Sequence, residues 1–168
     1  MRLKNISISI LNRAGNTLRI IYSFRNSIVI LALVFPTLCF SQHLRFDHIG
    51  TQDGLSQINV TCIIQEARGF IWVGTDDGLN RYDGYQFITY HNNPKDSNSL
   101  SNNLVGDIIQ DNEGNLWIAT QNGLNKFDLR TGRFRRYMHD AANPNSISSN
   151  DLNKLALGAN GNLWIATE

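Results

Sequence analysis

The chain has 168 residues, is 42% hydrophobic with 13 Gly, and carries a formal net charge of +1, a profile that excludes collagen, coiled coil and full disorder. The first 41 residues hold five of the 15 basic residues and no acid, so residues 42–168 set ten bases against all 14 acids, a net of −4. Such a body has no electrostatic footprint for nucleic acid, and two cysteines, Cys39 and Cys62, allow one disulfide at most and no four-ligand zinc site.

From Ile28 the chain reads IVILALVFPTLCF without a charge. That run is too short for the ~20 residues of a membrane span and suits the core of a signal peptide. Arg19 and Arg25 precede it as a basic region, and the small residues Cys39 and Ser41 place cleavage after Ser41. Residues 1–41 are thus expected to be a signal peptide and 42–168 an exported body. An uncleaved anchor or a buried strand is the competing reading, and a lipidated Cys39 is disfavoured by the bulky Leu38 before it. If Cys39 leaves with the signal, Cys62 has no intramolecular partner.

The body is a repeat. Leu55–Trp72 (LSQINVTCIIQEARGFIW), Leu100–Trp117 (LSNNLVGDIIQDNEGNLW) and Ile147–Trp164 (ISSNDLNKLALGANGNLW) align without gaps, with Ser 16 and Gly three residues before Trp. The Trp spacings are 45 and 47. A period of ~45 fits a four-stranded propeller blade or a pair of HEAT helices. Short runs rich in β-formers, such as NLWIAT, bounded by Asp-Gly and Asn-Gly, decide for strands.

In chain order, a lead strand is expected over Leu44–Ile49. The first unit then has Val60–Gln65, Phe70–Thr75, Leu79–Tyr82 and Tyr85–Tyr90. The second has Leu104–Gln110, Asn115–Thr120, Leu124–Asp128 and Arg133–Met138, and the third has Leu152–Leu157 and Asn162–Thr167. The units run over about 55–99, 100–146 and 147–168, joined by the polar loops Asn92–Ser99 and Asp140–Ser146, whose Asn-Pro and Ser content marks surface turns. The fold class is therefore all-β, a propeller of four-stranded antiparallel blades, incomplete at about two and a half. A ring of even four blades needs roughly 180 residues, so the sequence reads as the N-terminal fragment of a longer protein.

The runs G-N-L-W-I-A-T-x-x-G-L-N-x-F-D at Gly114–Asp128, GFIWVGTDDGLNRYD at Gly69–Asp83 and GNLWIATE at Gly161–Glu168 resemble the two-component regulator propeller repeat. FDHIGTQDGLS at Phe46–Ser56 is similar to the way mature sensors of that family begin. The resemblance implies the N-terminal periplasmic sensor region of a hybrid two-component histidine kinase of Bacteroides-type bacteria. It implies an oligosaccharide ligand and a homodimeric parent, held in the inner membrane only through C-terminal segments. Kinase, receiver and helix-turn-helix motifs are absent from these 168 residues, so no catalysis, cofactor or nucleic-acid contact is assigned to the chain. The alternatives are a stand-alone secreted propeller, acting as a lectin or scaffold, and a propeller lyase or glycosidase.

The repeat positions Gly69, Trp72, Gly78, Gly114, Trp117, Gly123, Gly161 and Trp164 read as structural: the glycines as turn formers, the tryptophans as packing between blades. Asp83 and Asp128 are expected to cap the turn after the third strand. An Asp-box would need Asp five residues before each Trp, where Ala67, Asn112 and Ala159 stand. The pair Asp76-Asp77 reads as a solvated turn and not as the two carboxylates of a glycosidase. His43, His48, His91 and His139 lack metal-ligand spacing, although His91 and His139 fall at similar points after the fourth strand. Arg130, Arg133, Arg135 and Arg136 read as edge-strand charge that blocks pairing, with an acidic glycan as the other reading. No ligand-binding residue is assigned.

Overall fold

The computed structural model describes residues 44–167; the expected signal peptide lies outside them. Ten strands run in chain order: β1 Val60–Gln65, β2 Ile71–Thr75, β3 Gly78–Tyr82, β4 Phe87–Tyr90, β5 Val105–Gln110, β6 Leu116–Thr120, β7 Gly123–Asp128, β8 Arg133–Tyr137, β9 Leu152–Leu157 and β10 Leu163–Thr167. They form three antiparallel meanders, β1-β2-β3-β4, β5-β6-β7-β8 and β9-β10. This is the all-β blade architecture that the repeat predicts.

Two differences from the expected strands have physical causes. No strand covers residues 44–50. A lead strand in a closed ring pairs with the last blade, and the described residues hold no such partner for its ladder. β4 begins at Phe87 and not at Tyr85, because the Asp83 carboxylate accepts the Tyr85 and Gln86 amides at 2.8 and 2.9 Å and holds them in the turn.

Period-two alternation gives each sheet two unlike faces. On the first sheet Trp72 shares its face with Ile64 and Cys62 of β1 and with Leu79 and Tyr90. That face packs on Leu100, Val105, Ile108, Leu116, Ile118, Phe127 and Phe134 of the second unit, in one core. The second unit repeats the arrangement with Trp117, Ala119, Leu124 and Tyr137 against Leu152, Leu155, Leu163 and Ile165. The sheets thus stack in series, a Trp-bearing face on an aliphatic one.

A polar knot fixes each unit. The Ser56 amide donates to Asn80 Oδ1 at 3.1 Å, Asn80 Nδ2 donates to Ser56 Oγ at 2.8 Å, and Ser56 Oγ meets Thr75 Oγ1 at 2.9 Å. The same bonds join Ser101, Asn125 and Thr120 at 2.9, 2.8 and 2.9 Å. Thr75, Asn80, Thr120 and Asn125 are fully buried, where an unpaired polar group is costly. The knot ties the chain ahead of the first strand to the second and third strands.

Each first strand also carries a bulge, between Val60 and Cys62 and between Val105 and Asp107, with a matching irregularity where β9 meets β10. The bulged residue leans on the next unit: Thr61 Oγ1 donates to Val105 O at 2.6 Å. At Gly106 the approach is tighter still, and a Cβ there would lie 2.9 Å from Leu152 O and 3.1 Å from Asn153 O.

Asn125→Ala is expected to lower stability by about 1–3 kcal/mol, because it strands buried partners. Gly106→Ala is expected to cost a similar ~1–3 kcal/mol through overpacking against backbone. Urea denaturation of each variant beside the parent chain checks both.

Candidate functional site

The three repeated tryptophans have three different surroundings. Trp72 is fully buried, stacked on Tyr90 at 5.6 Å and edge-on to Phe127 at 5.3 Å. Trp117 is half-buried beside Tyr137 at 5.5 Å, with Lys126 Nζ 5.2 Å over its ring. Trp164 is 66% exposed. The glycines Gly69, Gly114 and Gly161 take φ of 96°, 85° and 82° in the turn before the Trp strand. Gly78 and Gly123, at φ 104° and 105°, open β3 and β7. A Cβ on either would also strike the carbonyl of Tyr90 or Tyr137, at 2.8 and 3.0 Å.

What most distinguishes the three places stands six residues before each Trp: Glu66, Asp111 and Gly158. The acids of the first two units stand one residue ahead of the Asp-box position. Asp111 Oδ2 accepts Trp117 Nε1 at 2.9 Å, its carboxylate also accepts the Asn115 amide at 2.8 Å and Asn115 Nδ2 at 3.0 Å, and Lys126 Nζ lies 3.8 Å away. Glu66, one methylene longer and buried, turns instead to Arg68 Nε at 3.0 and 3.2 Å. The buried Trp72 Nε1 is left with no hydrogen-bond partner among the described residues. The signal was present in the sequence as acid, acid and glycine at one repeat position.

Two polar clefts open between neighbouring units on this side. One, of about 440 Å³, is lined by Glu66, Arg68, Gln110, Asn115, Asp128 and Arg130. The other, of about 340 Å³, is lined by Asp111, Glu113, Trp117, Lys126 and Leu163. Both fall within the size of small-ligand sites, and both mix carboxylates with cations.

Apart from Asp128 and Arg130, which line the first cleft, the other singled-out residues lie elsewhere. Asp76 bonds Asn59 Nδ2, and Asp77 holds Asn103 Nδ2 at 3.0 Å with His91 Nε2 3.6 Å away. His91 and His139 are not equivalent: Gly78 faces His91 as Gly123 faces Met138, and the counterpart of His139 is Asn92. The amides of Asn92 and His139 donate to Asn103 Oδ1 and Asn150 Oδ1, at 2.7 and 2.6 Å. His48 is exposed and His43 lies outside the described residues. No cluster among the described residues is placed to hold a metal ion. Asp128 Oδ1 caps its turn through the Arg130 and Thr131 amides at 2.8 and 3.1 Å. Of the arginines, Arg136 is no free edge charge. It donates to the carbonyls of Asn93, Asp96, Ser99 and Leu100 and to Ser99 Oγ, at 2.6–3.3 Å. It clamps the loop between units.

Burial raises the Asp111 carboxyl, but the bonds from Asn115 and Trp117 and the Lys126 charge outweigh it, leaving the group below its ordinary value of 3.8. A lowered folded-state value means stability present above pH 3.8 and lost as pH falls below it, through that lowered value. Asp111→Ala is expected to cost about 1–3 kcal/mol at neutral pH. The gap from the parent chain is expected to narrow as the pH is taken down through this range, which denaturation at stepped pH checks.

The sequence profile described as Two component regulator propeller matches residues 54–77 and 99–122, in the first two units. "Histidine kinase P4" of Formosa agariphila is 57% identical over 49 residues, 29% of this chain and 4% of the kinase. An extracellular domain described as part of a hybrid two component system, BT3049 of B. thetaiotaomicron, superposes with a TM-score of 0.67 at 32% identity. It covers 72% of this chain, which spans 17% of that domain. No helix among the described residues is long and apolar enough to cross a membrane. The first two units thus carry the two component regulator propeller repeat, folded as stacked four-stranded sheets.

Proposed function

We propose that the chain is the start of the periplasmic sensor region of a hybrid two-component histidine kinase. The observation that carries this reading is the run of repeats shared, at 32% identity, with the extracellular domain of the BT3049 system. The high local identity to a histidine kinase supports it from the sequence side. In this reading residues 1–41 export the body, further repeats and the kinase follow in the parent, and the present residues bind and hold but perform no chemistry.

The ligand is a carbohydrate. The clefts between units suit one: the first brings carboxylates, carboxamides and the guanidinium groups of Arg68 and Arg130 to its lining, and the second sets Asp111, Glu113 and Lys126 beside the half-buried ring of Trp117. Binding would bias the packing of one sheet on the next, and a ligand shifts such an equilibrium only by its differential affinity for the two arrangements.

The test has two steps. Sequencing the locus past the Glu168 codon is expected to reveal more Trp repeats, a membrane span and a kinase. The parent in membranes is then expected to change its autophosphorylation rate with one class among neutral, uronic and sulfated oligosaccharides. A frame that closes at once, or a kinase indifferent to every class, overturns the proposal.

A further inference from the structure

The cleft between the first and second units lies at a seam where both sheets have all four strands. Two guanidinium groups line it. The Arg68 side chain is 51% exposed and spends its Nε on the buried Glu66 carboxylate, at 3.0 and 3.2 Å, with Nη1 3.5 Å from Leu129 O. The Arg130 side chain is 86% exposed and lies 4.0 Å from Asp128. The other two carboxylates of the cleft are engaged: Asp128 caps its own turn, and Glu113 stands 3.5 Å from Lys126 Nζ.

The two units differ in how their acid is used. Trp72 and Arg81 are paired across β2 and β3, as Trp117 and Lys126 are across β6 and β7. In the second unit one carboxylate serves both side chains: Asp111 Oδ2 lies 2.9 Å from Trp117 Nε1 and 3.8 Å from Lys126 Nζ. In the first unit Glu66 holds the same repeat position but sits on Arg68. Trp72 Nε1 and Arg81 Nε are buried with no hydrogen-bond partner among the described residues, and buried donors left unpaired are costly. Glu66 therefore has a second set of partners, an indole N–H and a guanidinium, where the register of the second unit puts its acid.

We propose that this cleft is a site for an anionic saccharide, bearing a uronate carboxylate or a sulfate ester, and that Glu66 is a two-position carboxylate that yields Arg68 to it. With no anion bound, Glu66 occupies the fork of Arg68. An anionic group docking between Arg68 and Arg130 competes for that fork, because a guanidinium grips an oxyanion in the geometry it uses for a carboxylate side chain. Glu66 then turns to Trp72 Nε1 and Arg81 Nε, so the buried carboxylate keeps a counter-charge throughout. Occupancy of the cleft is thereby passed to the tryptophan that packs the first sheet on the second. The inference rests on the reading of the cleft as a carbohydrate site and specifies the class of carbohydrate.

Calorimetric titration of the 168-residue chain with an oligogalacturonate, a sulfated galactan oligosaccharide and a neutral xylo-oligosaccharide tests it. One of the two anionic probes is expected to bind about tenfold or more tightly than the neutral one, and which of them does so separates carboxylate from sulfate. Arg130→Ala, at an exposed position, is expected to remove most of that preference. Glu66→Asp gives the first unit the acid of the second, and Glu66→Gln removes the competing charge. Both are expected to tighten binding of the same probe several-fold, which a merely structural ion pair would not do. The indole N–H resonance of Trp72, one of three tryptophans in the chain, is expected to move downfield on titration and to stand there already in Glu66→Asp. Equal binding of the three probes, no binding, an unchanged preference in Arg130→Ala, or weaker binding by both Glu66 variants overturns the inference. Equal binding leaves the sensor reading in place. A parent kinase indifferent to every class, beside a chain that prefers an anionic probe, overturns the sensor reading and supports the site.

Discussion

Every sheet in this chain depends on the one beside it. A four-stranded meander with two apolar faces has nothing of its own to cover either of them, so the packing of a Trp face on an aliphatic face is the interaction that the rest of the structure serves. Its scale sets it apart. An aromatic side chain that buries 150–250 Å² gains roughly 4–6 kcal/mol at ~25 cal/mol/Å², an upper bound against a compact unfolded chain. A typical hydrogen bond contributes about 1 kcal/mol net. Trp72, enclosed by Tyr90 and Phe127, therefore weighs as much as several of the polar contacts around it.

The polar groups decide where that packing occurs. The Ser56–Thr75–Asn80 and Ser101–Thr120–Asn125 knots fix the entry of each unit relative to its second and third strands, and so fix which residues of the first strand face inward. A slip of one residue would exchange the two faces wholesale. The bulge on each first strand then turns that strand toward its neighbour, where Thr61 and the bare backbone of Gly106 make the closest approaches between units.

Much of this was legible in the sequence. Trp at spacings of 45 and 47, with Gly three residues before, located all ten strands to within two residues at either end. Periodicity reports local geometry well because each hairpin is closed by its own turn residues. A lead strand at Leu44–Ile49 would need a partner strand far off in sequence, as a closed ring would supply, and local pattern carries no information about such a partner. The candidate site was less readable for the same reason. Glu66 and Asp111 occupy one repeat position and differ by a methylene, yet one carboxylate reaches the tryptophan and the other turns to Arg68. The choice is made by reach in three dimensions. Arg136 is similar: as a string it is one of four arginines near an edge strand, and only folding brings it under the loop from the preceding unit.

The acceptors of Arg136 have a consequence for how the surface can vary. Four of the five are main-chain carbonyls, and the fifth is the Ser99 hydroxyl. A guanidinium that grips backbone does not read side chains. Residues such as Pro94, Lys95 and Asn98 are therefore held in place without being specified by the clamp, apart from Asn98 meeting the Phe134 amide. Positions such as Pro94 and Lys95 can vary while the loop's path over the rim, held by Asn93, Asp96 and Ser99 as well as by Arg136, stays constant. The rim at this spot can then change its chemistry without any rebuilding of the sheets beneath.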